Sequence, residues 1–242
     1  MPLHWSEYRA KTGARCRPGR LPTSLQSSPV SDRHNFAASP HALALAGVDL
    51  VSAPAPVVRV EEAREIVVVL SRSRDPEREV FLDLCRADGV PVVVRPSGGG
   101  AVVLASGVVA ASVVAAADPR VRFPEPYFRR FCGVVARALA GCGVAGLQIR
   151  GISDLALNER KVAGSSLRLW QGRVLFQVSV LVDADVALLE RYLRAPSREP
   201  PYRHARRHRD FVVTLRGAGL PVACAQVVEA LRGALGAEVW NA

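Results

Sequence analysis

The sequence predicts an α+β fold, a single domain over residues 39–242 with a central mixed β-sheet flanked by helices. Three observations carry this reading. Of the 242 residues, 49% are hydrophobic, which suffices for one sizeable core. Strand-like runs fall in groups, with helical patterns between the groups. The second half contains three consecutive strand patterns separated by turn signals, the mark of a meander.

Residues 1–38 are rich in Arg, Ser and Pro, lack apolar periodicity, and are expected to form a disordered leader. Six basic and two acidic side chains there fit an organellar transit peptide and a misplaced start codon equally. Order begins at Ser39-Pro40-His41, a Ser cap with Pro at the first helical position, leading into a helix over Ala42–Val51. Glu65–Leu70 is β-branched and reads as a buried strand. Pro76–Ala87 has helical spacing of Val80, Leu82, Leu84 and Cys85 before Gly89. Val90–Arg95 is the next strand and delivers the chain to Pro96-Ser97-Gly98-Gly99-Gly100. Strands over 101–105 and 108–115 follow, with a turn at Ser106-Gly107. The longest amphipathic helix is Pro126–Cys142, with Phe128, Phe131, Val134, Val135, Ala138 and Leu139 on one face. From Leu147 the pattern is strand-like again, and turns at Asn158-Glu159-Arg160 and Gln171-Gly172-Arg173 bound strands 152–157, 161–170 and 174–182. Helices over Asp185–Leu193 and Val222–Leu235 complete the reading.

Composition narrows the function. A net charge of +10 and a pI near 10.2 invite a nucleic-acid partner. Aromatics are only 6% and do not interleave with the arginines, so no stacking platform forms and nucleic acid is not the expected ligand. The apolar stretch 101–117 is slightly short for a membrane-spanning helix and reads as two strands. Five cysteines, Cys16, Cys85, Cys132, Cys142 and Cys224, are odd in number and scattered, which predicts a reducing, cytoplasmic setting and neither disulfides nor zinc. His204 and His208 have a spacing that metals use, but four arginines surround them, so a solvated basic edge is expected there.

Lys161 stands out. Of the 32 Lys and Arg residues only Lys11 and Lys161 are lysines. Where arginine serves for nearly every positive charge, a lysine in Arg160-Lys161-Val162-Ala163-Gly164-Ser165 points to a compact ammonium facing one anionic oxygen. The alternative is a surface lysine beside a hairpin turn. Ser97–Gly100 is a second candidate, because consecutive glycines let backbone amides approach a carboxylate or phosphate, with Arg95 at the edge. The loop lacks the Lys-Ser/Thr of a Walker motif and the following helix of a dinucleotide fingerprint.

Arg95-Pro96-Ser97-Gly98-Gly99-Gly100-Ala101-Val102, followed by Ser153-Asp154-Leu155 and Lys161-Val162-Ala163-Gly164-Ser165, resembles the lipoate–protein ligase A family of the biotin/lipoate ligase superfamily. The likeness runs over roughly residues 40–215 and includes Pro200-Pro201-Tyr202-Arg203, Arg206, His208 and Asp210-Phe211. It implies ATP-dependent activation of lipoate or octanoate to an acyl-adenylate. The acyl group then passes to a lysine of an acidic lipoyl carrier, the E2 of a 2-oxoacid dehydrogenase or the glycine cleavage H protein. By position, Arg95, Ser97, Gly98, Gly99, Gly100 and Ala101 would line the acyl tunnel and flank the adenylate. Ser153 and Asp154 would face the phosphate, Asp154 holding Mg²⁺, and Gly164 and Ser165 would adjoin it. Lys161 would be catalytic, contacting the carboxylate and the α-phosphate.

The chain also departs from that family. Leu104, Ala105, Val108, Ala110, Phe176 and Val178 stand where the ligases carry polar or glycine residues and are expected to face the ligand, which opens the alternative of a non-catalytic paralogue. An octanoyltransferase is a further alternative, although Ile152-Ser153-Asp154 offers no cysteine where those enzymes place their nucleophile. No C-terminal accessory domain is expected after Leu235, so a separate accessory protein is an expected partner. Arg203, Arg206, Arg207 and Arg209 are expected to meet an acidic carrier.

Overall fold

A computed structural model of the protein describes residues 38–240. The expected leader therefore lies outside the described residues, apart from Ala38. Nine strands form two sheets among the described residues. The smaller contains β2 (Val67–Ser71), β3 (Val92–Arg95) and β4 (Ala101–Leu104), with β2 parallel to β3 and antiparallel to β4. The larger contains β1 (Val57–Glu62), β5 (Val108–Ala116), β6 (Gln148–Arg150), β7 (Asp154–Leu157), β8 (Arg160–Trp170) and β9 (Arg173–Leu181), in the order β1-β5-β9-β8-β7-β6. All its pairs are antiparallel. The α+β architecture is thus as predicted, and its mixed character resides in the small sheet. β1 was not expected, because its Arg and Glu residues mask the alternation that leaves Val60 buried.

The two faces of the large sheet differ in residue size. Toward one side point Val109, Ala111 and Val113 of β5 and Val174, Phe176, Val178 and Val180 of β9. Helices α4 (Pro124–Gly141) and α7 (Cys224–Trp240) cover them, burying Phe131, Val135, Leu231 and Leu235. Phe131 stacks on Phe176 with ring centroids 4.9 Å apart. The opposite face carries Ala110, Ser112, Ser166, Gln177 and Ser179, mostly small residues that leave room against the small sheet. Phe176, expected to face a ligand, lies on the helix side and is fully buried.

Two predicted helices are broken. The first is α1 (Pro40–Leu45), capped by Ser39, whose Oγ accepts from the Ala42 amide at 3.0 Å; Gly47 at φ +66° ends it before a 3₁₀ turn over Asp49–Val51. The second divides into α2 (Pro76–Glu79) and α3 (Leu82–Ala87). Between them Val80 is extended and bridges Leu193 just after α5 (Ala187–Tyr192). The Phe81 and Arg194 amides donate to Tyr192 and Glu79 carbonyls at 2.9 Å each. Those long-range bonds replace the helical ones that one continuous helix would make, and β-branched Val80 gives up little helix propensity.

Phe176→Ala would open a void between β9 and α4 that neither element can close. It should lower the unfolding free energy by about 3–5 kcal/mol, read as a lower denaturant midpoint with an unchanged slope.

Candidate active site

A cavity of about 520 Å³ opens between the two sheets. Its deep walls are apolar, from Leu45, Val69, Leu104, Ala110, Leu181 and Leu189, and its mouth is cationic, from Arg150, Lys161, Arg194 and Arg198. An apolar recess beneath positive charge suits a carboxylic acid with an aliphatic tail.

Lys161 reaches the mouth through a tight hairpin. Asn158 and Glu159 both take positive φ, 46° and 63°, which turns β7 into β8 in two residues and places Lys161 second on β8. Its Nζ lies 2.8 Å from Asp154 Oδ1. The other carboxylate oxygen accepts from the Tyr202 hydroxyl at 2.9 Å. Gly164 completes the hold: a Cβ there would lie 2.6 Å from Lys161 Nζ, so the ammonium rests on bare backbone. The segment after α5 closes this side. Val212 bridges Lys161, and the Val213 amide donates to the Lys161 carbonyl at 2.9 Å.

The glycine loop forms the facing wall. Gly99, at φ +100°, Gly100 and Ala101 line the cavity together with Arg95. Arg95 is not a free charge at the loop's edge, because its Nη2 donates to the Gly98 and Gly100 carbonyls at 2.8 Å each and its Nη1 to Val69 at 3.3 Å. Burial, with a smaller contribution from Arg74, brings its guanidinium down to about 10, so it remains charged at neutral pH. Ser97 and Gly98 do not line the cavity. Ser97 is fully buried, donates to Gln177 Oε1 at 2.6 Å and lies 2.8 Å from Ser166 Oγ. Since Ser97 has one proton and gives it to Gln177, Ser166 is the donor in the second bond.

Ser153, Asp154, Lys161, Gly164 and Ser165 all line the same cavity, so the two sequence motifs converge. Of the six replaced positions, Leu104, Ala110 and Val178 border it, Val178 although its side chain belongs to the helix-side core, whereas Ala105, Val108 and Phe176 do not. Asp154 does not fit the metal-ligand role implied by resemblance. One oxygen faces an ammonium and the other a phenol, and no His/Cys/Asp/Glu cluster suited to a metal occurs among the described residues. Cys132 is buried outside the cavity, its Sγ 3.4 Å from Ser165 Oγ, and burial pushes its thiol up.

The chain matches the Lipoyl protein ligase A/B catalytic domain over residues 46–236. It belongs to that family. An octanoyl-[GcvH]:protein N-octanoyltransferase of Kyrpidia tusciae is 39% identical over 120 residues, 47% of this chain and 38% of that protein. A lipoate–protein ligase of Streptococcus pyogenes is 33% identical over 110 residues, 46% and 31% of the two chains. The matched stretches thus span well under half the length of these relatives. Among solved structures, the bi-partite lipoate protein ligase of Thermoplasma acidophilum superposes with a TM-score of 0.69 at 22% identity, over 83% of this chain and 79% of that one. A lipoate-protein ligase A bound with ATP gives 0.67 at 22%, over 83% and 81%. At such identity these likenesses concern the fold.

Within this lipoyl ligase domain the arginine-rich tail differs from the solvated edge expected. Arg203 is buried, and Arg206 donates to the carbonyls of Glu159, Tyr202 and Arg203, tying the tail to the Lys161 hairpin. Arg207 and Arg209 are exposed and share Glu190. His208, at the start of α6 (His208–Phe211), lines the cavity half-buried. Tyr202 entered the sequence reading only as part of the tail, and His208 also as half of a metal spacing set aside for a basic edge, since neither lies near the two motifs in sequence. No helix among the described residues is long and apolar enough to cross a membrane.

Burial, then Arg203 and Lys161, hold the His208 imidazole down to about 4 against an ordinary 6.5, with Glu190 opposing them. The unfolded chain therefore takes up this proton first, and stability falls as pH drops from 6.5 toward 4. Thermal melts across that range should show a shallower acid slope for His208→Gln than for the parent.

Proposed function

We propose that the protein is an acyl–protein ligase, activating lipoate or octanoate with ATP and transferring the acyl group to a lysine of an acidic lipoyl carrier of the E2 or H-protein type. The observation that supports this most directly is a single lysine fixed at the mouth of an apolar recess, across from a glycine loop. The acyl chain lies in the recess and its carboxylate meets Lys161. A carboxylate oxygen bonds to the α-phosphorus as pyrophosphate leaves. The carrier amine then attacks the acyl carbonyl, and AMP departs with the oxygen.

Both steps crowd negative charge at one place, and the carboxylate and α-phosphate repel each other until a cation stands between them. A fixed ammonium in a partly desolvated site supplies that charge without reorganising. Lys161 is already oriented by Asp154 and Gly164, so its third side faces the ligand. Mg²⁺ would arrive with the nucleotide phosphates, whose charge it offsets. A cytoplasmic setting and a separate accessory protein belong to the same proposal.

One observation favours a second reading, namely the 39% identity to an octanoyltransferase. A transferase that passes octanoyl between carriers without ATP needs an acyl-accepting nucleophile. None of the described cysteines, Cys85, Cys132, Cys142 and Cys224, lines the cavity. The ligase reading therefore takes precedence.

ATP–pyrophosphate exchange with and without lipoate tests adenylation. Exchange that requires the acid is the expected result; calorimetric binding of carrier with no ATP consumption would favour the non-catalytic alternative. Lys161→Arg should lower exchange about 100-fold while the fold is kept, because the wider guanidinium does not fit between Asp154 and Gly164. Undiminished exchange in that variant would remove Lys161 from the chemistry.

A further inference from the structure

The proposed reaction needs the acyl chain to lie along the cavity floor, and the inference rests on that reading. Strand pairing places Gly164 of β8 beside Ser179 of β9, and Ser179 beside Ala110 of β5. All three line the cavity, and none carries a side chain larger than a hydroxymethyl group. The rows on either side are closed. On one, Val108 pairs with Leu181, both buried. On the other, Ser112, Gln177 and Ser166 are buried in one hydrogen-bonded cluster with Ser97. A chain leaving Lys161 therefore runs across the strands, over Gly164, Ser179 and Ala110.

The end of α1 closes the far side. Arg59 lies on β1, the strand next to β5, and donates to the Ala44 carbonyl at 2.9 Å, while Gln177 donates to that of Ala46 at 3.0 Å. Leu45, between those two anchors, lines the cavity and packs in the same buried cluster as Ala110. Val69 and Leu104 line it from the small sheet. Two strand spacings separate Gly164 from Ala110, about 10 Å. With bonds of about 1.5 Å at about 111°, an extended carbon chain advances about 1.25 Å per bond, so about eight carbons cover that floor. The Ala110 methyl is the last floor side chain before Leu45.

We propose that Ala110 is the specificity-determining residue for acyl length, its methyl leaving the end of the floor open so that the site takes an aliphatic monocarboxylic acid of about eight carbons. A larger side chain at 110 occupies the place of the terminal carbons and leaves Lys161 and the glycine loop untouched. Length is thus set from β5, while the carboxylate end is held from β8.

The test is calorimetry of the full chain with acyl-sulfamoyl-adenosines, unreactive mimics of the adenylate, bearing unbranched chains of four, six, eight and ten carbons. In the parent, affinity should rise about fourfold per methylene up to eight carbons and gain nothing at ten. Ala110→Leu should weaken octanoyl binding about 15-fold and change hexanoyl binding by less than about twofold, because about two methylenes lose their place. Ala110→Val should lower the octanoyl-to-hexanoyl ratio about fourfold. General damage to the fold weakens both mimics and leaves the ratio alone. An unchanged ratio in both variants overturns the proposal, and so does a parent affinity that keeps rising at ten carbons. Should Ala110→Leu not fold, Ala110→Val, which adds less bulk, decides alone. No binding of any mimic by the parent removes the ligase reading and this inference with it, whereas binding with an unchanged ratio removes the inference only.

Discussion

The cleft depends on one buried polar junction, the meeting of Ser97, Ser166 and Gln177 where the small sheet touches the large one. Gln177 comes from β9, Ser166 from β8 and Ser97 from the loop after β3, so three chain segments share hydrogen bonds of 2.6 and 2.8 Å. The Gln177 amide also donates to the Ala46 carbonyl at 3.0 Å and to Ser112 at 3.2 Å, which brings in α1 and β5. Ser71 adds a bond to the Ser97 carbonyl at 3.0 Å. Apolar packing alone would let two sheets slide against each other. Directional bonds among fully buried groups set one relative position, because any slip leaves donors unsatisfied at about 1–3 kcal/mol each. The glycine loop is therefore pinned to the large sheet through Ser97.

The same economy explains the basic composition. A net charge of +10 suggests a surface built for an anionic partner, yet much of the arginine is structural. Arg95 holds three carbonyls around the glycine loop, Arg206 three around the Lys161 hairpin, and Arg160 reaches the carbonyls of Arg209 and Val212. Arg173 and Arg59 cap the carbonyls of Ala53 and Ala44. A planar fork with five donors bonds several backbone acceptors at once. Lys161, with one compact charge, stands where the proposed reaction calls for a bare positive charge.

This division also marks what the sequence could reveal. Lys161 and the glycine loop were legible because rare residue types and conformationally demanding glycines leave a local trace. The amphipathic helix α4 was legible from its period, and the meander from its turns. Ser97 and Arg95 were legible as important but not in their roles, since a side chain's partner lies wherever the fold brings it, here Gln177 eighty residues on and the loop's own carbonyls. Phe176 looked like a ligand-facing substitution because position in a motif does not say which face of a strand it occupies. One residue either way reverses the answer. Val80 broke a plausible helix through its bridge to Leu193, built from the Phe81–Tyr192 and Arg194–Glu79 bonds on either side, contacts invisible to any local pattern.

Tyr202 is the clearest case of a site completed from a distance. The hairpin that carries Lys161 is open on one side, and the segment from Pro200 to Val213 closes it, pairing with β8 and setting a phenol behind Asp154. Arg203 and Arg206 stack over Phe211 at 4.8 and 5.3 Å, and Arg150 stands 5.2 Å over the Tyr202 ring. These contacts and the Phe211 ring hold the Tyr202 ring in place, and its hydroxyl fixes one oxygen of the Asp154 carboxylate. The position of the ammonium follows from that of the carboxylate, so the site's one compact cation is located by a segment about forty residues later in the chain. A glycine-loop ligase domain with a different tail would present the same two motifs and hold its lysine differently.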